Sequence, residues 1–313
     1  MDSTELVDRL LRGERRALAR LLTRVEDGSV DTLREVVRLL HPHTGNAMIV
    51  GLTGSPGVGK STLTSALVTQ WRSQGKRVAV LAVDPSSPFS GGALLGDRVR
   101  MQDHALDDGV FIRSMASRGH LGGLSWATPQ ALLVLDAAGF DIVMVETVGV
   151  GQAEVEIASS ADTTVVALAP GMGDSIQAAK AGILEIADVF VVNKADRDGA
   201  ERAVRELREM QKLGHGEWLA PIRKTVASTG DGIAELAEAI GEHYAWLTEE
   251  GRLDRRRLDR ARVQVRELAL GTVRGRFLEL GQGDLVDELA AAVAARDTDP
   301  YTASDKLVAS LDA

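Results

Sequence analysis

Residues 54–61 read GSPGVGKS, and their neighbours decide what they are. Upstream runs AMIVGLTG, an almost unbroken apolar stretch, and downstream runs STLTSALVTQW, with apolar residues at helical spacing. Gly, four residues, Gly, Lys and Ser between a strand and a helix is the P-loop template. Its glycines let backbone N–H groups curl around a β-phosphate, and the following helix contributes the partial positive charge of its N-terminus. The expected cradle is Gly54, Ser55, Pro56, Gly57, Val58, Gly59, Lys60, Ser61 and Thr62. Lys60 reaches the β- and γ-phosphates, and the Ser61 hydroxyl is a ligand for Mg²⁺.

The same texture recurs along the chain. RVAVLAVD, FDIVMVET, TTVVALAP and VFVVNKAD are short runs apolar on both faces, with helical patterns such as TPQALLVLDAAG between several of them. That alternation predicts an α/β fold, a mostly parallel sheet covered by helices on both sides. IRKTVAS and the helix DGIAELAEAIGEHYAWLTEE complete it, so the main domain spans residues 46–248. Residues 1–45 form a helical extension, with Leu6, Leu10, Leu18, Leu21, Leu22 and Val25 at helical spacing, ended by Pro42. Residues 249–313 are helical again, beginning with a long charged pattern that carries Leu253, Leu258, Val263, Val265, Leu268, Leu270, Val273 and Leu278. Periodicity predicts a buried face there but does not choose between a cap on the sheet and an arm on a second subunit.

Composition narrows the function. The 36 Lys and Arg against 45 Asp and Glu give a net charge of -9, which argues against a nucleic-acid or anionic-membrane surface. The chain has no cysteine, which removes disulfides, thiolate zinc sites and cysteine nucleophiles. MDSTELVDRL has no basic segment followed by an apolar core, and no apolar run approaches the roughly 18 residues of a membrane span. These features point to a cytoplasmic protein whose partners are small molecules or proteins.

The base is read from NKAD, residues 193–196, at the end of the strand VFVV and about 130 residues beyond the P-loop. The Asp196 carboxylate can accept from both N1–H and the 2-amino group of guanine. Adenine offers neither donor, a mismatch of about 1 to 3 kcal/mol or more. Asn193 and the stem of Lys194 hold the loop and cover the base. After the next strand, Ser228, Thr229 and Gly230 in ASTGDG are either further base contacts or only a helix cap.

Three acids are placed to matter for the metal. Asp84 and Glu146 end strands, and the carboxyl ends of parallel strands converge on one crevice. Asp97, in SSPFSGGALLGDRVRM, is either a third member or a solvated turn. Mg²⁺ keeps several waters, so an acid can serve it directly or through water. Glu146 opens ETVGVGQ, in which Gly149 offers a backbone N–H to the γ-phosphate. Val150 stands where Ras-like enzymes have a water-orienting glutamine, and a valine cannot hydrogen-bond water. Intrinsic hydrolysis is therefore expected near 10⁻³ s⁻¹ or below, on the order of unassisted Ras, with the missing group supplied by Gln152, another loop or a partner.

Taken together, GSPGVGKS, VDPSSPFSGGALLGDRVRM, SMASRGHLGG, ETVGVGQAEVEI, APGMGDSIQAAKAGILEIAD and NKAD resemble the MeaB/MMAA (ArgK) family of P-loop GTPases along essentially the whole chain. The resemblance implies a SIMIBI-type fold and a homodimeric chaperone of adenosylcobalamin-dependent methylmalonyl-CoA mutase or a related acyl-CoA mutase. Such a chaperone gates cofactor delivery from the adenosyltransferase and protects the mutase, without cobalamin bound by this chain alone. It further implies that Ser61, Asp84, Asp97 and Glu146 surround Mg²⁺ beside GTP or GDP. Asp84 to Met101 would be switch I, ETVGVGQ switch II and GMGDSIQAAKAG a third switch, whose Gln177 and Lys180 carry partner contact to the nucleotide. The C-terminal helices would be the dimerisation arm. Relatives commonly read GQSE where this chain has GQAE, so Ala153 lacks their hydroxyl. Two rivals are nickel insertion and a kinase role in arginine/ornithine transport. The first wants clustered imidazole or thiolate, yet the one close histidine pair, His41 and His43, reads as a helix-ending turn.

Overall fold

A computed structural model describes residues 2–84, 102–104, 106–116, 127–147, 159–171, 183–212, 217–280 and 284–310. These residues form two compact units, Met1–Leu253 and Asp254–Ala313.

The first unit is built on a seven-stranded sheet in the order β3-β2-β4-β1-β5-β6-β7. The strands are β1 Met48–Thr53, β2 Val78–Asp84, β3 Val110–Ala116, β4 Ile142–Thr147, β5 Thr163–Leu168, β6 Val189–Asn193 and β7 Ile222–Thr225. Every adjacent pair is parallel. All six residues of β4 and of β5 are buried, as strands covered on both faces must be. The five apolar runs and IRKTVAS had announced six of these strands. The seventh, β3, lies at the sheet's edge, and its run is broken by Arg113, whose guanidinium pairs with Glu26 at 2.7 Å.

Ahead of the sheet lie α1 Ser3–Leu11, α2 Arg15–Asp27 and α3 Val30–Leu40. The continuous helical spacing of residues 3–26 breaks at Gly13, whose φ of 85° is outside the helical region and costs glycine little. Leu6, Leu10, Leu21 and Leu22 of these helices share one apolar core with Leu81, Val143 and Val145 of the sheet and with Leu135 of α5, Thr128–Ala137. The N-terminal segment thus covers the sheet where a crossover helix otherwise would. Asp136 of α5 locks the entry to β1 by accepting the N–H groups of Gly45 at 2.5 Å, Asn46 at 3.1 Å and Ala47 at 2.9 Å.

The opposite face carries α4 Lys60–Ser73 and α8 Ile233–Thr248. Leu63, Leu67, Trp71, Leu236 and Ile240 pack there on Val50, Leu52, Val80, Val165 and Val191. The short α6, Ile183–Ile186, precedes β6, and α7, Ala200–Gln211, sets Ala203, Val204 and Leu207 against Val166, Phe190 and Val192. Among the described residues no helix is long and apolar enough to cross a membrane.

The helix α9, Arg252–Leu280, starts at the end of the first unit and runs into the second. The second unit continues with α10, Asp284–Ala295, and α11, Pro300–Ala309. The Asp299 carboxylate caps α11 by accepting from Tyr301 N at 2.9 Å and Thr302 N at 3.0 Å, and the Thr302 hydroxyl, donating to it at 2.6 Å, is the foremost contact holding its pKa below the usual carboxylate range, with the backbone N–H groups behind it. Along α9, Leu258, Val263, Val265, Leu268, Leu270 and Val273 are exposed.

Candidate nucleotide site

The carboxyl ends of β1, β4, β6 and β7 gather the motifs, because parallel strands in register finish at one edge of the sheet. Leaving β1, the chain turns through the P-loop and enters α4 at Lys60. Two glycines make that path possible. Gly54, at φ 141°, runs so close to the Ala167 carbonyl of β5 that any Cβ would collide with backbone. Gly59 adopts φ 95°, and a Cβ there would stand 2.6 Å from the Asn193 amide. Between them Val58 is fully buried in the core under α4, so the loop is nailed down from inside, while Pro56 and Gly57 are exposed.

Lys60 is buried and its ammonium donates to the carbonyls of Gly54 at 2.6 Å and Ser55 at 3.2 Å. Ser61 follows with its hydroxyl donating to Glu146 Oε1 at 2.8 Å, and Thr62 is exposed. Glu146, four per cent exposed at the end of β4, also accepts from the Thr64 hydroxyl on Oε2 at 2.9 Å. Ser61 and Glu146 are thus brought together as expected. Thr64 is a partner that the motif reading missed, although its spacing three residues beyond Ser61 puts both hydroxyls on one face of α4. This oxygen-only set fits a hard, octahedral cation such as Mg²⁺. Next to it the Thr147 hydroxyl donates to Thr53 at 3.3 Å, joining the ends of β4 and β1.

At the base end, Asn193 is the tie. Its side-chain amide donates to the Val58 carbonyl of the P-loop at 2.8 Å. Its Oδ1 accepts from the Thr225 hydroxyl and from Ala227 N, both at 3.1 Å. Lys194 takes a left-handed φ of 57° and its ammonium reaches the Gly57 carbonyl at 2.6 Å. These contacts stitch three loops from distant parts of the chain into one wall. Asp196, the residue expected to read the base, is exposed. Ser228, Thr229 and Gly230 are also exposed, and the Thr229 hydroxyl donates to Asp231 at 2.7 Å, the local bond of a turn.

A further anchor lies beyond the proposed switch I. His104 Nε2 sits 3.1 Å from the Ser65 hydroxyl and 3.2 Å from the Ser65 carbonyl on α4. Asp107 forms a two-point pair with Arg72 of α4, both contacts at 2.8 Å, and accepts from Gly109 N at 2.8 Å. The Arg72 bond, seconded by that N–H, holds the Asp107 carboxyl below its ordinary pKa. Asp84 closes β2, but its side chain lies outside the described residues, as do Asp97, Gly149, Val150, Gln152, Ala153, Gln177 and Lys180.

A buried P-loop lysine, a serine–carboxylate pair at its helix and an Asn-Lys-x-Asp loop stitched to it are the parts of a guanine-nucleotide hydrolase. Residues 18–281 match the model of the family described as methylmalonyl Co-A mutase-associated GTPase MeaB. The chain belongs to the MeaB family. A GTPase of Pyrococcus abyssi is 48% identical over 97% of this chain and 95% of its own length. The GTPase ArgK of Escherichia coli is 40% identical over 80% of this chain and 78% of its own. Among solved structures, a LAO/AO transport system kinase superposes with a TM-score of 0.73 at 29% identity, covering 99% of this chain and 98% of that one. Like its relatives, this MeaB-family member is a P-loop GTPase that hydrolyses GTP, and its family is associated with methylmalonyl-CoA mutase.

Proposed function

We propose that this GTPase is a chaperone of an adenosylcobalamin-dependent methylmalonyl-CoA mutase or a related acyl-CoA mutase, gating cofactor loading from the adenosyltransferase and protecting the loaded enzyme. The observation that carries the reading is the match to the mutase-associated family across residues 18–281. In this proposal the protein works in the cytoplasm as a homodimer. Residues 46–248 form the GTPase domain, 1–45 its helical extension and 249–313 the dimerisation arm. The exposed apolar residues of α9 named above support that role, since exposed apolar area is what an interaction surface offers.

Ser61, Asp84, Asp97 and Glu146 would hold Mg²⁺, which supplies charge neutralisation at the β- and γ-phosphates. Lys60 binds the same oxygens from the loop, exchanging its bonds to Gly54 and Ser55 for the phosphates. Gly149 contributes an N–H to the γ-phosphate. Gln152 and Lys180 are the groups that client contact would bring to the attacking water and the leaving phosphate. Val150 gives that water no hydrogen bond, so the protein alone turns over slowly and the client sets the pace.

The nickel alternative needs clustered imidazole or thiolate, and the one close histidine pair is His41 and His43. His41 and His43 form an exposed 3-10 turn at the end of α3, with the His41 carbonyl accepting from Thr44 N, which is a helix-ending role. The chaperone reading is tested by single-turnover GTP hydrolysis with and without candidate mutases. Acceleration of roughly tenfold or more by one of them is expected, and a rate indifferent to all of them removes the reading.

A further inference from the structure

We propose that Thr64 is a positioning residue of the metal site: it holds the Glu146 carboxylate in the orientation in which it accepts the Ser61 hydroxyl. Three side chains carry the argument, and all are buried, with Ser61 at 6%, Thr64 at 0% and Glu146 at 4% exposure. Ser61 and Thr64 project from one face of α4 and address different oxygens of the same carboxylate, Ser61 on Oε1 at 2.8 Å and Thr64 on Oε2 at 2.9 Å.

The protonation logic is one-directional. Both hydroxyls donate to the carboxylate, which accepts one on each oxygen. The Ser61 proton is thereby committed to Glu146. P-loop enzymes commonly place an aspartate at this strand end. Glutamate adds a methylene and one more rotatable bond, so a second fixed contact is what gives the longer acid a single orientation. Thr64 is that contact. It would touch neither nucleotide nor metal itself, and acts through Glu146 as partners behind metal ligands do, where removal typically costs 10- to 100-fold in metal affinity.

The inference rests on GDP and Mg²⁺ as ligands of this site and is independent of the mutase reading. Its test is fluorescent GDP binding to the full chain in EDTA and across a Mg²⁺ titration, with Mn²⁺ as a spectroscopic stand-in. Thr64→Val exchanges the hydroxyl for a methyl of nearly the same shape. GDP affinity in EDTA should stay within about twofold, while the Mg²⁺ concentration giving half of its effect rises roughly 10- to 100-fold. Thr64→Ser should restore the wild-type dependence, and in a Glu146→Gln background Thr64→Val should add nothing. Should Thr64→Val fail to fold, Thr64→Ala, which admits water but no fixed donor, reads the same quantity. Equal Mg²⁺ dependence in wild type and the variant, or a shift that persists in Glu146→Gln, overturns the inference alone. A wild type indifferent to both Mg²⁺ and Mn²⁺ overturns the metal site and the inference with it.

Discussion

Asn193→Ala asks how much of the site is held by one amide. Asn193 is 2% exposed and makes three hydrogen bonds, to the Val58 carbonyl, the Thr225 hydroxyl and the Ala227 N–H. Alanine makes none of them, and leaves polar groups of the P-loop and of the segment at and just after the end of β7 without that partner. At about 0.5–1.5 kcal/mol net per bond, the loss is about 1.5–4.5 kcal/mol, the lower end applying if water fills the vacated space. The cost should fall on function as well as stability, since the bond to Val58 ties the phosphate loop to the base loop. Urea unfolding followed by tryptophan fluorescence is suited to the measurement, because Trp71, Trp218 and Trp246 all lie in the first unit. GDP binding by calorimetry supplies the second readout. A stability loss below about 1 kcal/mol together with unchanged GDP affinity would refute the claim that this amide organises the wall.

Two further outcomes can be checked independently. Asp196→Asn should weaken GTP binding and favour xanthosine nucleotides, because an amide can donate to the 2-oxo group where the carboxylate needs the 2-amino donor; unchanged GTP affinity by calorimetry would sink the base assignment. The Arg72–Asp107 pair makes a pH prediction. Since the folded Asp107 pKa is depressed, its stabilisation is present above the unfolded value of about 3.9 and is lost as pH falls through the folded value. Arg72→Met should therefore lower the melting temperature at pH 7 and make little difference near pH 2, and an equal effect at both would refute the charge-based account.

Several parts of this molecule were legible because they are local. The P-loop path is dictated by Gly54 and Gly59, whose positive φ angles and crowded neighbours admit no side chain. The strands β4 and β5 declare themselves by the apolar runs at residues 142–145 and 165–168, because both of their faces are covered. Asn193 was read as the residue that holds the loop, and that is its place. By contrast, β3 escaped notice since an edge strand tolerates Arg113, which finds Glu26 on α2.

What the sequence by itself determined, then, is the chemistry of each segment: the phosphate loop, the base loop, the acid at the end of β4 and the period of most helices and strands. Each of these is set by side chains acting on their own backbone or by burial on both faces, which leaves its mark within a dozen residues. Only the tertiary structure decided which segments meet. That the N-terminal helices complete the core on one face of the sheet, that Glu146 is gripped by Thr64 as well as Ser61, and that Asn193 bonds a carbonyl 135 positions away all follow from the register of parallel strands. Register is a cooperative property of the whole sheet, since each strand is aligned by the packing of its neighbours, and no single stretch of residues carries it.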